Sequence, residues 1–166
     1  MPSGIVSGGS AGSGELGKLG IFAGYHLRLP FERTLRLIPR CLSLGIGCRK
    51  GTPKVKIEKA VLKVFADEGL DIRAIDGVYS IDIKSDEQGL IEFCGDMKLP
   101  LKFYSADELS AVSGDFSQSD FVKSVTGVDN VCERAALASS DGIIVKKTAL
   151  NGVTVAVGVK NKEVQF

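Results

Sequence analysis

Apolar and polar positions fall into a regular pattern only after residue 40. Residues 41–46 (CLSLGI) form a short apolar run bounded by glycine, as a buried strand does. Ile57, Ala60, Val61, Val64 and Phe65 then recur at helical spacing, with Lys54, Lys56, Lys59 and Lys63 on the other faces. Pro53 suits the start of that helix, where its missing N–H costs little, and Gly69 suits its end. Residues 78–83 read as a second strand, 86–97 as a second helix, 99–104 as a third strand and 106–112 as a short helix. Two helical stretches, 120–125 and 131–139, surround Thr126-Gly127. Residues 143–147 and 153–159 flank Asn151-Gly152, a strong type I′ turn signal, so the last two strands are antiparallel. The pattern predicts an α/β fold: a mixed β-sheet flanked by helices in three layers, ending in a C-terminal β-hairpin.

Residues 1–40 differ. The first 24 are rich in Gly and Ser and lack sustained periodicity, so they are expected to bury too little apolar surface to offset their ordering entropy. A linker, a processed remnant or a cloning-derived stretch has this composition. Residues 25–40 (YHLRLPFERTLRLIPR) are basic, apolar in patches and broken by Pro30 and Pro39, like the end of a segment that packs against a neighbour. The domain division expected is therefore 1–40 as leader and connecting remnant, and 41–166 as the folded domain.

Composition narrows the function. A net charge of +1 lacks the basic excess of a dedicated nucleic-acid binder. Cys41, Cys48, Cys94 and Cys132 show no CxxC spacing and His26 is the single histidine, so no metal site is expected. No run is apolar for the ~20 residues of a membrane span, and the N-terminus lacks the pattern of a signal peptide. Scattered cysteines inside apolar runs suit a reducing compartment, so the cytoplasm is the expected location, with no membrane partner.

The sharpest local feature is the run from Gly45 to Thr52 (GIGCRKGT) between the first strand and the first helix. Gly45, Gly47 and Gly51 let the backbone turn tightly and approach a ligand. The helix start supplies N–H groups, and Arg49 and Lys50 add cationic donors, so the loop is expected to bind an anion. Its other reading is a tight turn with two solvated cations. Nucleotide patterns do not fit: the lysine precedes Gly51 where a P-loop needs Gly-Lys, and Lys50 stands where the dinucleotide fingerprint needs its third glycine. A phosphatase loop would need arginine where Lys54 stands. Cys48, beside two cations and a helix start, is a candidate nucleophile whose thiol pKa should fall; packing is the competing reading.

Two further groups carry chemistry. If alternation holds, Ser80, Asp82 and Lys84 share one strand face, and Lys84 and Glu87 stand at the strand's end, where α/β sheets place ligands. Against this, Ser85 and Gln88 have the spacing of a capping box. Glu133 opens a helix of small apolar residues, where a carboxylate is expensive unless paired or capping. Asn130 and Glu133 have capping-box spacing; the functional alternative is a pocket carboxylate partnered by Lys84 or Arg49.

Taken together, GIGCRKGT, SIDIKSDEQGL, LPLKFYSADEL and TGVDNVCERAAL, in this order and spacing over residues 41–159, resemble the C-terminal domain of the CbiG family and its stand-alone relative CobE, of cobalamin biosynthesis. The resemblance implies a cobalt-precorrin-5A hydrolase, which opens the ring lactone and releases acetaldehyde. Its substrate would be a cobalt tetrapyrrole rich in carboxylates; the cobalt belongs to the substrate, and no cofactor is implied. The loop residues Gly45, Gly47, Arg49, Lys50, Gly51 and Thr52, with Thr126 and Gly127, would then bind that polyanion. Cys48, Lys84, Glu87 and Glu133 would supply the catalytic groups. The resemblance also implies a partner, because CbiG proteins carry an N-terminal domain before this one; a fragment, a split gene product or an excised piece is expected, and other pathway enzymes are further partners. The alternative function is a non-catalytic carrier of corrin precursors, of the CobE type. An unrelated α/β domain binding another polyanion is a third reading.

Overall fold

The computed structural model describes residues 5–7, 19–27, 33–113 and 130–161. Eight strands and four α-helices are placed within these residues. Strands β1 (Ile5–Ser7), β2 (Leu19–Ala23) and β3 (Arg33–Leu37) make a small sheet in which β1 is antiparallel and β3 parallel to β2. The remaining strands are β4 (Leu42–Cys48), β5 (Ile75–Ile81), β6 (Leu101–Tyr104), β7 (Gly142–Leu150) and β8 (Val153–Val159). They form one sheet of order β6-β5-β4-β8-β7. β4, β5 and β6 run parallel, whereas β8 is antiparallel to β4 and β7 to β8, so the sheet is mixed.

Helix α1 (Lys54–Asp67) presents Ile57, Ala60, Val61, Val64 and Phe65 to the core as the spacing predicts. It ends in a Schellman motif: the Leu70 N–H bonds the Phe65 carbonyl, the Gly69 N–H bonds that of Ala66, and Gly69 takes a φ of +64°. Helix α2 (Gln88–Met97) packs beside α1 and adds Leu90, Phe93 and Cys94. Leu42, Leu44, Ile46, Val78, Val153, Val155 and Val157 meet these two helices from the sheet. Each such aliphatic side chain contributes about 1.5–3 kcal/mol on burial. The opposite face of the sheet carries α3 (Ala106–Ser110) and α4 (Val131–Ala138), through Tyr79 and Ile81 against Leu109, Val131 and Ala135, and through Ala156 against Cys132 and Ala136. The result is the expected three-layer α/β arrangement closed by a hairpin. At its turn Asn151 and Gly152 both have positive φ, 51° and 82°, as type I′ requires.

Several local expectations are corrected. Strand β5 begins at Ile75 and stops at Ile81; Asp82–Lys84 is a 3₁₀ turn instead of strand. α2 begins at Gln88, so Glu87 is its N-cap and the Ser85/Gln88 box does not form. The stretch 120–125 lies outside the described residues. Within residues 1–24, Ile5–Ser7 and Leu19–Ala23 are strands: they pair with each other, β3 gives Leu19–Ala23 a second partner, and Phe22 and Ala23 are buried.

Candidate functional site at the carboxyl edge of the sheet

The three parallel strands end together, so the segments after β4 and β5 gather along one edge, where parallel sheets place their ligands. Residues 49–52 close on themselves: the Thr52 N–H and hydroxyl both donate to the Arg49 carbonyl, at 3.2 and 2.6 Å. The Thr52 side chain is thus engaged by its own turn and buried. Gly51, with a φ of +77°, then points its N–H toward the neighbouring connection, where it donates to Glu87 Oε2 at 2.9 Å. Lys84 Nζ lies 3.9 Å from the other oxygen, Glu87 Oε1. The structure therefore joins Gly51, Lys84 and Glu87, and Glu87 is only 6% exposed.

Cys48 closes β4 within electrostatic reach of the same pair. Its thiol pKa is raised, not lowered as expected. Burial is the main cause; Lys84 pulls the value down and Glu87 pushes it up. The cations that were to activate the thiol, Arg49 and Lys50, stand exposed at the rim. Arg49 runs across the hairpin turn: its N–H donates to the Gly152 carbonyl at 3.3 Å, and its Cδ would be 3.4 Å from a Cβ placed on Gly152.

Gly45 and Gly47 serve packing. A Cβ on Gly45 would come within 1.9 Å of the Cys132 carbonyl oxygen in α4, and one on Gly47 within 2.5 Å of Thr154 Oγ1. Glu133, 1% exposed, lies on the α4 side of the sheet, whereas Cys48 packs with the α1 and α2 core. Asn130 caps α4 by accepting the Glu133 N–H, but the Glu133 carboxylate reaches across to the Lys147 N–H at 2.5 Å. Lys147 sits in a bulge, where Lys146 and Lys147 oppose the single residue Ala156 between the pairs Val145–Val157 and Thr148–Val155. Lys84 and Arg49, the expected partners of Glu133, belong instead to the Glu87 connection and to the loop, respectively. Thr126 and Gly127 lie outside the described residues.

Residues 42–158 match the profile of the family described as Cobalamin synthesis G C-terminus. The chain belongs to this family. It is 31% identical over 125 residues to the Cobalt-precorrin-5A hydrolase of Salmonella typhimurium, covering 75% of this chain and 36% of that protein. It is 30% identical over 142 residues to the Probable cobalt-precorrin-5A hydrolase of Methanocaldococcus jannaschii, covering 78% of this chain and 44% of that one. The chain thus spans less than half the length of these curated relatives. Among solved structures it is similar to CobE, a protein from the cobalamin (vitamin B12) biosynthetic pathway, with a TM-score of 0.66 and 26% identity over 72% of this chain and 90% of CobE.

In this cobalamin synthesis G C-terminal domain, one site residue escapes sequence reasoning. A Cβ on Gly89 would meet the Thr52 carbonyl oxygen at 2.1 Å and the Lys54 nitrogen at 2.8 Å. The first turn of α2 is therefore pressed against the start of α1, and only glycine permits it. The available signal was a glycine in the first turn of a helix, where its low propensity calls for a reason. A separate cleft of about 370 Å³, lined by Tyr25, His26, Glu68, Leu70 and residues 143–145, lies at the opposite end of the sheet and shares no residue with this site. No helix among the described residues is long and apolar enough to cross a membrane.

Proposed function

We propose that this domain binds a cobalt-precorrin and takes part in hydrolysing its ring lactone with release of acetaldehyde, within corrin-ring biosynthesis. The observation that carries the reading is the union, in a chain of this family, of an exposed cation pair with a half-buried Lys84 paired to a buried Glu87 at one sheet edge. Arg49 and Lys50 project where acetate and propionate side chains of a large substrate would arrive, and guanidinium and ammonium groups both match carboxylates. Lys84 is the group positioned to exchange a proton with the reacting oxygen. The bulge gives Glu133 a structural task, so it is left out of the acid–base set. Cys48 is left out because burial works against its thiolate. The relatives' names support the substrate and the reaction, and the four free cysteines support a cytoplasmic setting.

The test is incubation of the purified chain with cobalt-precorrin-5A, alone and with the N-terminal part of a curated relative, followed by an acetaldehyde assay. Product in either mixture supports the reading; product only with the addition makes the chain one half of a two-part catalyst. Arg49→Ala and Lys50→Ala should each weaken substrate binding by about tenfold, the energy of a charge-assisted hydrogen bond, and by more at low salt than at high. Unchanged affinity in both would remove the loop from the site.

A carrier function is the second reading. It is favoured by the match to CobE, nearly all of whose length is this one fold. Spectral binding of the precursor with no acetaldehyde in either mixture would select it.

A further inference from the structure

We propose that Glu87 is a positioning residue whose buried carboxylate braces the cationic loop and Lys84 into one unit, fixing where the Lys84 ammonium meets a substrate held by Arg49 and Lys50. The brace rests on geometry alone; its consequence for turnover rests on the hydrolase reading above.

A carboxylate 6% exposed must be offset by partners, and Glu87 has a hydrogen-bond donor on the loop and a cation on its own connection. Oε2 takes the Gly51 N–H at 2.9 Å and Oε1 faces Lys84 Nζ at 3.9 Å. The backbone holds Glu87 in the same position. Its N–H donates to the Lys84 carbonyl at 3.1 Å, and its own carbonyl accepts from Leu90 and Ile91 at the start of α2. Glu87 is the N-cap of α2, yet its side chain makes no cap bond to its own helix and turns outward to the loop. Two residues later, Gly89 lets α2 abut Thr52 and Lys54, so loop and helix start are pressed together beside the carboxylate. One oxygen is thereby hydrogen-bonded to the loop and the other is ion-paired with Lys84, which suits a brace better than a base that must exchange protons with a substrate.

Glu87→Gln and Glu87→Ala separate the two roles. The glutamine keeps an acceptor for the Gly51 N–H, whereas alanine removes it. A brace predicts that Glu87→Gln, which keeps the Gly51 bond and loses only the Lys84 ion pair, falls by less than about tenfold in kcat/KM, while Glu87→Ala, which loses both, falls by about tenfold more. A general base would instead lose on the order of a hundredfold in kcat in both variants alike. Two readouts need no substrate. The Gly51 amide should exchange with solvent slowly in the wild type and in Glu87→Gln, and quickly in Glu87→Ala. The pH profile of Cys48 alkylation should move to lower pH in Glu87→Gln and to higher pH in Lys84→Gln, since both charges act on that thiol from the same connection. If the wild type yields no acetaldehyde, the hydrolase reading fails while these readouts still decide the brace. Equal loss of kcat in both variants, Gly51 exchange unmoved by alanine, or a Cys48 profile indifferent to both substitutions would overturn it.

Discussion

A Cβ added to Gly45 would stand 1.9 Å from a backbone carbonyl, and backbone cannot step aside as a side chain can. Gly45→Ala must therefore push α4 off the sheet, and a loss of about 1–3 kcal/mol is expected, as for other overpacked cores. Urea unfolding measures it; a change below about half a kcal/mol, the usual range of surface substitutions, would mean that α4 shifts freely. The cysteines give a second prediction at this scale. Burial pushes the Cys94 and Cys132 thiols up to about 12, while Cys48 is only partly buried. An alkylating reagent at mildly alkaline pH should mark Cys48 first in the folded chain, as read by peptide mass. Faster labelling of Cys94 or Cys132 would contradict the packing described. The Gly45–Thr52 run was legible as a tight loop from its three glycines, but not which glycines served it: Gly51 alone has positive φ, and the contacts of Gly45 and Gly47 come from α4 and β8, over eighty residues away. Likewise Ser105-Ala106-Asp107-Glu108 carries the capping box that forms, with both bonds present, whereas the same spacing at Ser85 and Gln88 does not cap because the chain first makes a 3₁₀ turn.

At the scale of elements, the bulge in β7 explains why a carboxylate begins a helix of small residues. An extra residue leaves a ladder N–H without its strand partner, and Glu133 accepts it from α4. Glu133→Ala should cost about 2 kcal/mol and speed exchange of the Lys147 amide, whereas Glu133→Gln, which keeps an acceptor, should lose less. Equal behaviour of the two variants would move the importance of Glu133 to its charge and return it to the catalytic set. The strands and α1 were readable because their patterns are local: alternation and 3.6-residue spacing reflect burial on one face. The bulge and the direction of Glu133 were not, since each depends on register between β7 and β8 and on where α4 lands.

For the molecule as a whole, Asp71 joins the small sheet to the α/β domain. It is buried, receives Arg36 from β3 at 2.8 Å and Arg73 at 2.9 Å, and its N–H donates to the Tyr25 carbonyl. The Leu27 N–H adds a bond to the Gly69 carbonyl. Burial alone would raise the Asp71 pKa, but the hydrogen bonds and charge of Arg73, with Arg36, outweigh it and hold the carboxyl below its ordinary value. A carboxyl depressed in the folded state stabilises fully above its unfolded pKa, about 3.9, and that stability is lost as pH falls through the lower folded value. Asp71→Asn should therefore destabilise the chain at neutral pH by about 2 kcal/mol, the scale of a charge-assisted hydrogen bond. The same substitution should flatten the decline of stability below pH ~4, because the group that must be protonated is gone. Urea midpoints of both proteins between neutral and acid pH measure the two effects together. Amide exchange in β2 and β3 then locates the loss: faster exchange there, with β4 and β5 unchanged, is the expected result. A uniform rise across both sheets would instead make Asp71 part of the main core's stability, with the small sheet held on by its buried Phe22 and Tyr25.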